Sequence, residues 1–218
     1  LKLPWRTQVL NSLLDYDLLG FQTQRDQRNF LHCVRVLVND AAVIARRAST
    51  MIRTPHRTVR VGAFPISIDF HEFARQAATR EVADTAWYIH EDLPDTKIIL
   101  GVDRLDYTKG IPERLKGFDL MLRLHPELQG KVTFLQLAAP SRIHIPQYRD
   151  MNDQLDDLVD EINWRHQTED WIPIRYLRAH HDYNAVLAAY RLCDVLMVTS
   201  LHDGMNLVAK EFVSARTD

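Results

Sequence analysis

Apolar positions recur at helical spacing in the first part of the chain and gather into short continuous runs in the rest. From 4 to 14, Trp5, Val9, Leu10 and Leu13 share one helical face, with Pro4 in a favourable early position. A short apolar stretch over 18–23 predicts a buried strand, and Phe30, Val34 and Leu37 resume the helical period over 26–38. The β-branched run 59–68, broken by Gly62 and Pro65, predicts a second strand, and 71–89 a further helix. From Lys97 the rhythm becomes regular. Strands are expected at 98–102, 132–138, 172–177 and 195–199, each followed by a helix, at 112–124, 146–166, 183–191 and 205–215. Strands that are apolar almost throughout and alternate with helices make a parallel sheet covered on both faces, so the fold class is α/β. The polar segment Asp92-Leu93-Pro94-Asp95 is the expected domain boundary, dividing the chain into 1–92 and 93–218. No strand follows the last helix, the chain opens on Leu1 rather than Met, and it stops at Asp218 with no polar tail. The expectation is a piece of something longer, truncated at both ends.

Composition narrows the function classes. With 218 residues, 46% of them hydrophobic, the chain holds one large domain or two small ones. Its net charge of −2 argues against a broadly basic nucleic-acid surface. No apolar run approaches the roughly 20 residues of a membrane span, and no signal-peptide pattern opens the chain. Cys33 and Cys193 lie inside apolar segments, the usage of a reduced, cytoplasmic protein. There are only seven glycines, where average usage of about 7% gives roughly fifteen. None of them forms G-x-G-x-x-G or precedes Lys-Ser or Lys-Thr, which excludes the usual glycine-rich phosphate loops. A phosphate would have to be held by side-chain cations or a helix N-terminus.

In a doubly wound sheet ligands bind at the carboxyl ends of the strands, which directs attention to four segments. After the first strand, Arg104 and Lys109 can converge on one anion, the arginine in a bidentate way and the lysine as a point charge. Alternatively, Arg104 pairs with Asp103 or Asp106 as a structural ion pair. After the second strand, Arg142 projects at the same rim. After the third come His180, His181 and Asp182, which read as loop and capping residues more readily than as metal ligands. After the fourth, Asp203 is a natural N-cap and Gly204 lets a ligand approach the backbone. The amides that follow would form an anion site, unless the segment is simply a capped core helix. Glu211, two turns on, could accept two hydrogen bonds from a vicinal diol such as a ribose. The acidic residues of 146–166, from Asp150 to Glu161, lie opposite the apolar stripe and read as a solvated face.

Together the motifs resemble a known family. Gly101-Val102-Asp103-Arg104-Leu105-Asp106-Tyr107-Thr108-Lys109-Gly110-Ile111-Pro112, Ala139-Pro140-Ser141-Arg142 and Asp203-Gly204-Met205-Asn206-Leu207-Val208-Ala209-Lys210-Glu211 are similar to the trehalose-6-phosphate synthase family, glycosyltransferase family 20. So is Asp17-Leu18-Leu19-Gly20-Phe21-Gln22-Thr23, and the resemblance runs through essentially the whole chain. It implies a GT-B fold of two Rossmann-like domains. Residues 1–92 would be the end of the acceptor-side domain, and 93–218 an incomplete nucleotide-sugar domain. It also implies a retaining transfer of glucose from UDP-glucose to glucose 6-phosphate, with no cofactor and no metal. Partners would be the nucleotide sugar and the sugar phosphate, with no nucleic acid or membrane, and the full-length protein would be open to homo-oligomerisation.

By motif position, Arg104 and Lys109 would bind the donor diphosphate and stabilise the departing nucleotide. Asp203 would hold hydroxyls of the glucose, making Arg104, Lys109 and Asp203 the catalytic set. His181 would lie beside the base, Arg142 would contact the acceptor phosphate, and Gly204, Met205 and Asn206 would line the donor. Leu207, Val208, Ala209 and Lys210 would present backbone to the nucleotide, and Glu211 would grip the ribose. Two departures bear on the acceptor: His202 stands where the family usually has Arg, and Ser67 replaces a glycine in Pro65-Ile66-Ser67-Ile68-Asp69. A glucosylglycerol-phosphate synthase using glycerol 3-phosphate and a non-catalytic relative are the alternatives.

Overall fold

A computed structural model describes residues 3–46, 49–91, 93, 96–141 and 144–216. The chain forms two compact units, 1–67 and 68–218. In the first, α1 (Arg6–Leu13), β1 (Leu18–Phe21), α2 (Gln24–Leu37), β2 (Ala42–Arg46), β3 (Ser49–Arg53) and β4 (Thr58–Ala63) build a mixed sheet in the order β1-β4-β3-β2. Strand β1 runs parallel to β4, while β3 is antiparallel to both β2 and β4. Thr23 starts α2 by accepting a hydrogen bond from the Asp26 amide at 3.1 Å. Leu10, Phe30, Val34, Ile52 and Val59 close the core between helices and sheet.

The second unit contains α3 (Phe70–Ala77), α4 (Arg80–Glu91), β5 (Lys97–Arg104), α5 (Ile111–Leu124), β6 (Val132–Ala139), α6 (Pro146–His166), β7 (Ile174–Leu177), α7 (Tyr183–Leu192), β8 (Val195–Leu196) and α8 (Val208–Ala215). Its sheet runs β7-β6-β5-β8 and every pairing is parallel. Successive side chains of a strand face opposite sides, and the core divides accordingly. Leu135 and Leu137 join Ile98, Leu100, Leu187 and Tyr190 on one face. Phe134 and Ala138 join Leu115, Phe118, Leu155 and Ile162 on the other. This is the α/β architecture expected of apolar parallel strands covered on both sides. No helix among the described residues is long and apolar enough to cross a membrane.

Several sequence expectations need correction. The division between units falls at Ser67 and Ile68, ahead of the Asp92-Leu93-Pro94-Asp95 segment, of which only Leu93 lies within the described residues. The reason is packing: Ala77, Val82 and Ala86, from α3 and α4, are buried in the same cluster as Leu100 and Leu187. The expected helix over 71–89 is two helices, with Ala78 and Thr79 between them. Strand β8 is confined to Val195–Leu196, and the antiparallel strands β2 and β3 were not anticipated. On α6, Asp150, Asp153, Asp157, Asp160 and Glu161 are exposed while Leu155, Val159 and Ile162 are buried, so most of the acidic face is solvated; Asp156 differs, half-buried and paired with Arg178.

Candidate active site

All four strands of the second sheet are parallel, so their carboxyl ends share one rim. Alternation along β5 turns Asp103 inward and Arg104 outward. Beneath the rim lies a network that the motifs alone did not reveal. Arg114, in the first turns of α5, is buried; its Nη1 donates to Asp103 Oδ2 at 2.7 Å and to Gln136 Oε1 at 3.0 Å. Its Nε donates to Thr199 Oγ1 at 2.8 Å. One guanidinium thus joins β5, β6 and the segment after β8. Gly101 makes room for it: a Cβ there would sit 2.5 Å from Arg114 Nη1 and 2.3 Å from Gln136 Oε1. Burial raises the pKa of Asp103, with the charge and hydrogen bond of Arg114 opposing.

Two motif loops meet above this network. Asp106 accepts from the Thr108 amide at 2.9 Å and starts a 3-10 turn, Tyr107–Lys109. Gly110 follows with φ +64°, and a Cβ there would lie 2.6 Å from the Thr199 carbonyl oxygen. Only glycine satisfies both the left-handed backbone and that approach. The amides of Leu201 and His202 donate to the Thr108 carbonyl at 2.8 and 3.3 Å. Across this junction Lys109 Nζ donates to Asp203 Oδ2 at 2.7 Å, 94 residues away in sequence. The hydrogen bond from Lys109 holds the Asp203 pKa below its ordinary value, keeping the carboxylate ionised.

Arg104 is exposed, and no ion pair or hydrogen bond engages it among the described residues. The structural pairing that sequence left open is not formed, because Asp103 belongs to Arg114 and Asp106 to the turn. Among the described residues the rim therefore presents the uncommitted guanidinium of Arg104 and the ammonium of Lys109 held by a carboxylate. Two cations in a partly dehydrated strand-end loop can bind a diphosphate, and can stabilise charge developing on a departing phosphate.

The segment after β8 departs from expectation. Helix α8 starts at Val208 rather than 205, and Asp203 does not cap it. Asn206 does that work, its Oδ1 accepting from the Ala209 amide at 3.1 Å. The amides of Lys210 and Glu211 donate to the Leu207 carbonyl, both at 2.9 Å. The amides of Leu207 and Val208 engage no described partner. A Cβ at Gly204 would meet nothing within 4 Å, so no described neighbour explains that glycine. Glu211 accepts from Tyr190 Oη through Oε2 at 2.9 Å, a partner that no local pattern signals.

Elsewhere on the rim, His181 Nε2 lies 3.3 Å from the Leu177 carbonyl at the end of β7. Asp182 caps α7, accepting from the Ala185 amide at 2.7 Å, as its position predicts. Among the described residues no three His, Cys, Asp or Glu side chains gather as metal ligands. Arg142 lies outside the described residues.

Comparison with known proteins adds to this geometry. The family model Glycosyltransferase family 20 matches residues 1–218. The chain is 38% identical over 214 residues to the bifunctional trehalose-6-phosphate synthase/phosphatase of Thermoproteus tenax, covering 98% of this chain and 29% of that protein. It is 37% identical over 214 residues to the trehalose-6-phosphate synthase of Cronobacter sakazakii, covering 98% and 44%. A crystal structure of an alpha,alpha-trehalose-phosphate synthase (UDP-forming) from Burkholderia xenovorans, in complex with glucose-6-phosphate, superposes with TM-score 0.90 at 36% identity, covering 98% and 47%. A solved structure from E. coli, bound with UDP-2-fluoro glucose, superposes with TM-score 0.85 at 36% identity, covering 99% and 47%. The chain spans less than half the length of these proteins. Matched along its whole length, it belongs to glycosyltransferase family 20.

Proposed function

We propose that the protein carrying this chain is a retaining glucosyltransferase that moves glucose from UDP-glucose to glucose 6-phosphate, giving trehalose 6-phosphate. The observation that supports this most is the meeting of Lys109 and Asp203 at 2.7 Å, from two loops far apart in sequence. A donor sugar diphosphate needs cations at the phosphates and a hydroxyl acceptor beside them, and this junction offers both. In this reading Arg104 and Lys109 bind the diphosphate and stabilise the charge that forms as UDP departs. Asp203, kept ionised by Lys109, accepts from glucose hydroxyls. The free amides of Leu207 and Val208, with Gly204, Met205, Asn206, Ala209 and Lys210 around them, line the nucleotide, and Glu211 accepts from its ribose. His181 sits beside the base, and Arg142 contacts the acceptor phosphate.

Retention by a double displacement would call for a carboxylate nucleophile. Asp203 is assigned instead as a hydroxyl ligand, with the leaving phosphate assisting attack on one face of the sugar. The second unit is the nucleotide-sugar side of the enzyme and the first belongs to the acceptor side. The presence of both Arg104 and Lys109 favours an active transferase over a non-catalytic relative. The deciding experiment gives the full-length protein UDP-glucose with either glucose 6-phosphate or glycerol 3-phosphate. Trehalose 6-phosphate as the product is the expected result. Transfer to glycerol 3-phosphate alone would reassign the acceptor, and no transfer to either would refute the reading.

A further inference from the structure

We infer that Tyr190 is a positioning residue of the donor site: its hydroxyl fixes one carboxylate oxygen of Glu211 and leaves the other to accept from a ribose hydroxyl. This rests on the reading above that Glu211 grips the nucleotide ribose. Tyr190 is fully buried on α7 and packs edge-on against Phe212 of α8, with ring centroids 6.2 Å apart. Its ring therefore cannot move without disturbing the interface between the two helices. The hydroxyl projects from that fixed ring to Glu211 Oε2 at 2.9 Å.

A glutamate has three rotatable bonds, and on a half-exposed helix turn it samples several rotamers. An anchor from the core removes that freedom before a ligand arrives, which is the general benefit of preorganisation. The chemistry of the pair also has a fixed direction. Burial, with the carboxylate of Glu211 adding to it, pushes the phenol pKa far up, so Tyr190 keeps its proton and is the donor of the pair. A phenol has one proton to give, so only one bond is made. No described residue engages Glu211 Oε1. A carboxylate with one oxygen tied to the core and one uncommitted matches a ribose diol better than a freely rotating side chain does.

The test compares wild type, Tyr190→Phe, Glu211→Ala and the double variant in the full-length protein. The donors are UDP-glucose and its 2′-deoxy and 3′-deoxy ribose counterparts. Ordering one side chain in advance is a uniform-binding effect, so Tyr190→Phe should raise KM for UDP-glucose about 3- to 10-fold while kcat stays within about twofold. The ribose-over-deoxyribose preference should shrink in the same variant, and Tyr190→Phe should add nothing once Glu211 is Ala. Phenylalanine keeps the ring, and melting curves show that the variants are folded. A wild type that prefers ribose, with Tyr190→Phe preferring it equally at unchanged KM, would overturn the inference alone. A wild type indifferent to the ribose hydroxyls would overturn the reading of Glu211 and the inference with it.

Discussion

Two ion pairs brace the same rim from different depths. Below it, Arg114 and Asp103 have side chains 0% and 3% exposed; at it, those of Lys109 and Asp203 are 18% and 23% exposed. Both pairs have N–O separations of 2.7 Å. Yet burial dominates Asp103 and raises its pKa, whereas the Lys109 hydrogen bond dominates Asp203 and lowers it. Charges taken fully out of water depend on each other and on buried hydrogen bonds, here from Arg114 to Gln136 and Thr199, so the lower pair is committed to architecture. Charges near solvent are cheap to separate, so the upper pair can exchange its partner for a ligand. The same chemistry thus supports the site at one level and serves it at the next.

Breaking the lower pair has the largest expected effect. Asp103→Ala strands the Arg114 guanidinium and should cost about 3–5 kcal/mol in chemical denaturation. An unchanged midpoint would mean that the buried pair is dispensable. Next comes the upper pair: Lys109→Ala should lower kcat by about 10²–10³, the effect of removing one charge-stabilising donor. Its stability should change by under about 1 kcal/mol. A variant that loses stability while keeping turnover would reverse the assignment of the two levels.

The junction between the levels is the third target. Gly110→Ala forces a left-handed residue at about 1–2 kcal/mol and presses on the Thr199 carbonyl. Its melting temperature should fall, and UDP-glucose binding with it, because Thr199 leads into the Asp203 loop. Acid titration has the smallest effect. Asp203 has a depressed folded-state pKa, so its contribution is complete above the ordinary carboxylate value near 3.9 and is lost as pH falls through the folded value. Denaturation from about pH 6 down to about pH 3 should show Asp203→Asn losing less stability than wild type, by under about 1 kcal/mol.

Much of this was legible in local pattern. The helix over 146–166 and strands at 98–102 and 132–138, observed as Lys97–Arg104 and Val132–Ala139, follow from continuous apolar runs and their helical counterparts, and the strand-end rule pointed to Arg104, Lys109 and Asp203. What stayed hidden depends on partners distant in sequence. Ala42–Arg46 mixes helix-favouring Ala and Arg with the β-branched Val43 and Ile44, and becomes a strand by pairing with Ser49–Arg53. Arg114 reads as one more surface charge on α5 until Gly101 and Thr199 are placed around it. Helix α8 starts late because Asn206, rather than Asp203, reaches the Ala209 amide, and the two residue types are equivalent caps by propensity. Tyr190 looks like a core aromatic, and only its hydroxyl's contact with Glu211 distinguishes it from phenylalanine.

In the proposed donor site, nucleotide binding depends on the rim cations through the diphosphate. Calorimetric titration of the full-length protein with UDP and with uridine, in wild type and in the Arg104→Ala/Lys109→Ala double variant, tests it most directly. Wild type is expected to prefer UDP by roughly 100-fold, from two charge-assisted contacts of about 1.5–3 kcal/mol each less their desolvation, and the double variant to lose nearly all of this preference. An equal preference for UDP in both proteins would place the phosphates elsewhere and contradict it.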